Sequence, residues 1–221
     1  MACCALQTVA LLLGSIGMVG TFTVTLMPQW KVSAFTENNI IVFETIWEGL
    51  WMVCVSHIKK YQCKFYESLL ALPPALEASR GLMCTACVLS VIAFLIAIAG
   101  MKCIQCPGNN DQIKSKILLA AGVIFLLTGV IVLIPVSLTA NKIIKDFYNP
   151  LIQAARKREL GAALYLGWIT SAFLISGGAI FCSFCGSAEK PGRYRDSSLS
   201  SHRLNKPEHI RRKPLTVDSY V

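Results

Sequence analysis

The chain has 221 residues, of which 54% are hydrophobic and only 15% charged, and its formal charge at pH 7 is +9. A soluble domain of this size does not carry so apolar a balance, and the excess belongs in lipid. The positive charge does not point to nucleic acid, because Lys and Arg are spread over the hydrophilic segments rather than gathered in one patch.

An α-helix rises about 1.5 Å per residue, so roughly 20 apolar residues cross a hydrocarbon core of about 30 Å. Four stretches meet that requirement, 8–27, 81–101, 117–140 and 161–182, and none holds an Asp, Glu, Lys, Arg or His. The first follows a seven-residue N-terminus with no basic run and no clear cleavage site, so it reads as a retained span rather than a secretory signal. In it Gly14, Gly17 and Gly20 recur every third residue, a spacing for close helix packing and not for a nucleotide loop. An intramembrane ionisable residue marks a proton relay or an ion path. The uncharged spans therefore place any ion-handling chemistry outside the bilayer.

The first long loop, 28–80, reads as β-structure, with β-branched and aromatic runs at Trp30–Phe35, Ile40–Ile46, Trp51–Ser56 and His57–Tyr66. Turns are expected at Asn38-Asn39 and around Ser56. In the last run Tyr61, Cys63 and Phe65 alternate with Lys60, Gln62 and Lys64, so the two sets lie on opposite faces. If the first set is buried, Lys64 must face water. After the second span a short connection, 102–116, leads to the third, where Pro135 should bend the helix. The second loop, 141–160, carries Asn149-Pro150, which should end the helix continuing from the third span. Beyond residue 182 the chain turns Ser-, Arg-, Lys- and Pro-rich and is expected to be disordered.

An even number of spans puts both termini on one side and both loops on the other. Lys and Arg are nearly balanced across the two sides, so the positive-inside rule does not choose. Cysteine does: Cys54 and Cys63 are the only two in the loops, and an oxidising exterior would bridge them. The loops are then extracellular and the termini cytosolic.

Trp30, Gly49-Leu50-Trp51, Cys54 and Cys63 together form a W-GLW-C-C pattern between the first and second of four spans. Further landmarks are Met27-Pro28-Gln29-Trp30, Leu72-Pro73, Arg80, Ile134-Pro135-Val136-Ser137, Asp146-Phe147-Tyr148-Asn149-Pro150 and Arg158-Glu159-Leu160-Gly161. On these residues the chain resembles the claudins, tight-junction proteins of the plasma membrane that polymerise into strands and control paracellular permeability. The resemblance implies a membrane α+β fold, a left-handed four-transmembrane-helix bundle with an extracellular five-stranded antiparallel β-sheet, four strands coming from the first loop and one from the second. It implies no enzymatic activity and no cofactor or metal.

The same resemblance assigns roles. Leu69 would plug a neighbour's pocket formed by Phe147 and Leu160, giving rows of other claudins in cis, while Phe147, Tyr148, Asn149 and Pro150 would meet claudins on the opposing cell in trans. Ile152-Gln153 stands where toxin-binding members carry Val-Pro. Lys64, directly after the second loop cysteine, holds the position that tunes charge selectivity, with Lys60 on the same strand face. A positive pair there implies a barrier to cations and an anion preference. Ser219, Tyr220 and Val221 fit a class I PDZ ligand, whose groove adds the peptide as an edge strand and captures its carboxylate. Scaffolds of the zonula-occludens type are the implied partners. Cys103, Cys106, Cys182 and Cys185 lie beside the membrane, where S-palmitoylation would add a lipid anchor. Two other readings remain at this point. Gly-Leu-Trp and the loop cysteines also suit a calcium-channel gamma-type regulatory subunit, and Cys84-Thr85-Ala86-Cys87 suits a quinone-linked membrane thiol oxidoreductase.

Overall fold

The computed structural model describes residues 2–33, 45–57, 60–67, 73–101, 111–151 and 157–187. All of them lie in the first of two units, Met1–Glu189. Its elements in chain order are α1 (Ala2–Leu26), β1 (Lys31–Ser33), β2 (Thr45–Glu48), β3 (Met52–His57), β4 (Lys60–Phe65), α2 (Pro74–Gly100), α3 (Asp111–Tyr148), β5 (Arg158–Leu160) and α4 (Ala162–Ser187). All four helices are long and apolar enough to cross a membrane. Each packs on the next and α4 returns against α1, which closes a ring of four.

All four helices overrun the predicted spans, and α1 already starts at Ala2 rather than at Thr8. α2 starts at Pro74 rather than at Gly81, because Pro at the first helical position sacrifices only an N–H that has no intrahelical partner. α3 has 38 residues and therefore a length of about 57 Å, nearly twice the hydrocarbon core. Its last two turns stand clear of the lipid and present Lys142, Lys145, Asp146 and Phe147 before the helix ends at Asn149-Pro150. Pro135 sits inside this helix without ending it. α4 runs on to Ser187, which puts Cys182 and Cys185 on the same helix.

In lipid the outward faces of the helices gain nothing by hiding apolar side chains, so the bundle is held by close contact and by satisfied hydroxyls. The glycines of α1 behave as their spacing predicts: a Cβ on Gly14 would stand 2.9 Å from the Phe125 ring, one on Gly17 2.7 Å from Leu174, and one on Gly20 2.5 Å from Thr170. Buried hydroxyls bond to carbonyls one turn back, Thr21 to Gly17 O at 2.8 Å, Thr25 to Thr21 O at 2.7 Å and Ser171 to Gly167 O at 3.0 Å. No solvent is needed to satisfy them. Near the start of α4, Tyr165 and Trp168 meet edge to face with centroids 5.7 Å apart, and the Trp168 indole N–H donates to Ser137 Oγ at 3.4 Å. Amphipathic rings at this level mark the membrane–water boundary.

The sheet is antiparallel with strand order β4-β3-β2-β1-β5, so the second loop supplies one edge and β4 the other. Compared with the sequence reading, β1 starts at Lys31 rather than Trp30, β3 runs through Ser56 to His57, which pairs with Lys60, and Trp47 and Glu48 belong to β2. Residues 40–44, part of the predicted second strand, and the turn at Asn38-Asn39 lie outside the described residues.

The sheet joins the bundle at residues 27–30. The Trp30 indole N–H donates to Val24 O at 2.9 Å, which satisfies a carbonyl that the end of α1 leaves without an intrahelical donor. Trp30 N–H donates to Glu48 O at 3.1 Å, Gly161 N–H to Trp30 O at 3.2 Å and Ala163 N–H to Gln29 O at 3.0 Å. One short segment thus serves the end of α1, strand β2 and the start of α4. Gly161 must be glycine for this approach, because a Cβ there would overlap Gln29 O. We expect Gly161→Ala to cost about 1 to 3 kcal/mol, read as a lower melting temperature of the purified chain in detergent. An unchanged melt would contradict the packing just described.

Candidate functional site

The candidate site is the sheet and the loop ends around it, where every described charge outside the helix ends is gathered. Cross-strand partners point to the same face. The pairs Trp47↔Cys54, Cys54↔Cys63, Ser56↔Tyr61 and Met52↔Phe65 give one face of aromatics around a disulfide. The pairs Lys31↔Glu48, Val53↔Lys64 and His57↔Lys60 give the other face, which carries the charges.

Cys54 and Cys63 are disulfide-bonded, with Cα atoms 4.1 Å apart. Cys54 is fully buried, but the aromatics on its face are not: Tyr61 is 60% and Phe65 65% exposed. The condition of a buried aromatic face is thus not met in β4. An edge strand has a neighbour on one side only, and Tyr61 finds just one ring partner, Trp47, at 5.6 Å. Lys64 does face water. Its side chain is 75% exposed and pairs with Glu67 at 3.0 Å. Lys60 is exposed on the same face.

Behind β3 and β4 stands Arg80, 6% exposed on α2, a residue to which the sequence assigned no role beyond a family landmark. Its Nε donates to Leu50 O at 2.6 Å, and its guanidinium lies 5.1 Å from the centroids of both Trp51 and Tyr66. Among the described residues Arg80 Nη2 and Trp51 Nε1 have no hydrogen-bond partner. Arg80 is thus compensated by one carbonyl and two π-faces instead of a carboxylate. Its only sequence signal is its place as the last charge before an uninterrupted apolar run, and the rings that receive it are 14 and 29 residues away in the chain. Burial pushes the Tyr66 hydroxyl pKa above its ordinary value near 10, the Glu48 charge adds to this, and Arg80 opposes it.

The remaining signature residues are structural. Leu50 is buried, and a Cβ on Gly49 would stand 2.5 Å from Pro28 Cα. Glu48 accepts from Arg158 Nε at 3.0 Å and Nη2 at 2.7 Å, a half-buried two-pronged bond that ties the second loop to the first.

At the end of α3, Phe147 meets Tyr148 edge to face at 5.7 Å and receives Lys157 over its ring at 5.2 Å. Asn149 Oδ1 accepts from Leu151 N–H at 3.0 Å, which closes the turn over Pro150 and leaves Tyr148 and Leu151 projecting into solvent. Leu160 pairs with Lys31 in the sheet and packs on the core, at the strand that adjoins α3. Leu69, Cys103, Cys106 and the Ser219, Tyr220, Val221 terminus lie outside the described residues. Cys182 is half-buried near the end of α4, and Cys185 follows it on that helix. Cys84 is exposed on α2 while Cys87 is buried with Thr25 Oγ1 3.5 Å away, so the C-x-x-C does not form one exposed dithiol face. Among the described residues no group of His, Cys, Asp and Glu could hold a metal ion.

A sequence profile of the PMP-22/EMP/MP20/Claudin family matches residues 4–181. This chain belongs to that family. Mouse Claudin-8 is 60% identical over 92% of this chain and 90% of its own length. Pig Claudin-17 is 58% identical over the whole of both chains, and human Claudin-6 is 44% identical over 88% and 89%. The claudin family thus accounts for the four spans, the sheet and the disulfide together.

Two outcomes are expected at the Arg80 anchor of this claudin-family chain. Arg80→Ala should cost about 2 to 4 kcal/mol, since it strands Leu50 O and both ring faces, measured by denaturant or thermal unfolding in detergent. The raised Tyr66 pKa means the folded state holds that proton more tightly than the unfolded chain does. Its contribution is complete below pH 10 and is lost as pH rises through the raised value. Tyr66→Phe has no proton to lose, so its melting temperature should fall less between pH 9 and pH 11, both being about one unit from the ordinary tyrosine pKa.

Proposed function

We propose that this chain is a tight-junction claudin whose strands hold a barrier to cations between neighbouring cells, and that any paracellular path it lines prefers anions. The single observation that carries the charge preference is Lys64, exposed beside the disulfide on the free edge strand of the sheet. A cation about 6 Å from one lysine in water is opposed by about 0.7 kcal/mol, near threefold in population. Several subunits around one path multiply that bias, and salt reduces it over a Debye length of about 8 Å. Glu67 works against Lys64, because its carboxylate lies 3.0 Å from the ammonium. Exposed pairs of this kind hold together weakly. Lys64 therefore retains part of its field, with Lys60 on the same face adding to it.

In this reading the disulfide-bonded sheet is extracellular and both termini are cytosolic. Phe147 and Leu160 receive Leu69 of a neighbouring claudin in cis, and Tyr148 with the Asn149-Pro150 turn meets a claudin in trans. The projecting Tyr148 and Leu151 support the trans role. Ser219, Tyr220 and Val221 engage PDZ scaffolds of the zonula-occludens type, and Cys103, Cys106, Cys182 and Cys185 are palmitoylation sites. The calcium-channel gamma-type and thiol-oxidoreductase readings are not favoured, since the similar proteins are claudins.

The test is expression in a claudin-null epithelial monolayer with measurement of resistance and dilution potentials. The native chain should favour chloride over sodium, Lys64→Asp should reverse that preference, and Glu67→Gln should raise the chloride-to-sodium ratio by up to about threefold. If strands form and neither substitution moves the ratio, Lys64 does not set selectivity.

A further inference from the structure

Where β1 and β2 end above α2 and α3, a partly open cavity of about 240 Å³ lies between the sheet and the bundle. Its floor is apolar, built from Leu76 and Leu82 of α2 and Pro135 and Leu138 of α3. Lys31, Lys142 and Glu48 are the charged residues of its lining. Pro135 and Leu138 belong to the uncharged stretch of α3, and Lys142 follows one turn later, about 6 Å further along the axis. The cavity therefore straddles the level at which hydrocarbon gives way to headgroups.

The charges of the lining do not cancel. The charge of Glu48 is offset by Arg158, whose Nε and Nη2 both donate to its Oε1. Among the described residues neither Lys31 nor Lys142 has an ion-pair partner, so two uncompensated lysines line a largely apolar cavity. A soluble anion would use the lysines and leave the floor unmatched, and a sterol would do the reverse. A molecule with a phosphate above acyl chains satisfies both halves.

We propose that this cavity binds one glycerophospholipid from the leaflet beneath the sheet, with its phosphate held by Lys31 and Lys142 and an acyl chain lying over Leu82, Pro135 and Leu138. Lysine offers the phosphate charge-assisted hydrogen bonds, which a partly enclosed site screens less than open water does. The lipid then joins the sheet, through β1, to α2 and α3, adding to the Arg80 anchor and the contact of β5 with α3.

The full chain, purified in detergent and titrated with palmitoyl-oleoyl phosphatidylglycerol, is to be followed by native mass spectrometry. One lipid per chain should be retained. Lys31→Ala with Lys142→Ala should weaken retention by about tenfold or more, and Leu138→Trp should weaken it by filling the floor. Lys31→Arg with Lys142→Arg should keep it, as should Lys116→Ala with Lys145→Ala, which removes equal charge away from the cavity. Diacylglycerol should bind far more weakly, and millimolar inorganic phosphate should not displace the lipid. Equal retention by the alanine pair, loss in an arginine pair that melts like the native chain, diacylglycerol binding as tightly, or displacement by phosphate would each overturn the proposal.

Discussion

Where a membrane helix ends beneath a folded loop, its last carbonyls and the next helix's first N–H groups are cut off from both lipid and water, and they must find partners in the protein. In this chain one four-residue segment, Met27 to Trp30, supplies them. The indole of Trp30 reaches back to Val24 O, while the backbone of Gln29 and Trp30 takes up Gly161, Ala163 and Glu48. That requirement places β1 beside β2 and β5, and it leaves no room for a Cβ at Gly49 or Gly161. A bulkier residue at either glycine would push apart backbones that must touch.

From this junction outward the sheet becomes progressively less held. Arg80 clamps the β2–β3 connection and Tyr66 from behind, and Glu48 with Arg158 fastens the second loop to the first. Beyond the disulfide, β4 has no further strand, and its side chains are all exposed. The residues with the strongest claim to meet ions or neighbouring chains thus lie on the part of the sheet that the protein itself does not cover. A single exposed charge in water acts weakly, so the charge preference proposed for Lys64 would need that residue repeated across an assembly of chains.

Much of this was legible in the residues themselves. The four spans could be read because lipid imposes length and apolarity on each helix without reference to its neighbours, and the pairing of Cys54 with Cys63 followed from their being alone in the loops. The helix end at Asn149-Pro150 is a local backbone effect and was equally visible. The strands were found with shifted limits, since edge and junction contacts decide where a short strand stops. The exposure of Tyr61 and Phe65 was left open by the sequence, because alternation tells which side chains share a face but not whether anything covers that face.

Composition and spacing alone determined that this chain crosses a membrane four times, keeps its charges outside the lipid and carries a disulfide-clamped β-loop. Only the tertiary structure decided that Arg80 is buried between two rings, that Glu48 is matched by Arg158 110 positions away, and that Lys31 and Lys142 line one largely apolar cavity. The reason is the range of the forces involved. Transfer into lipid acts on each residue where it stands in the chain, whereas ion pairing, π-contact and cavity shape depend on groups that only folding brings within a few ångströms.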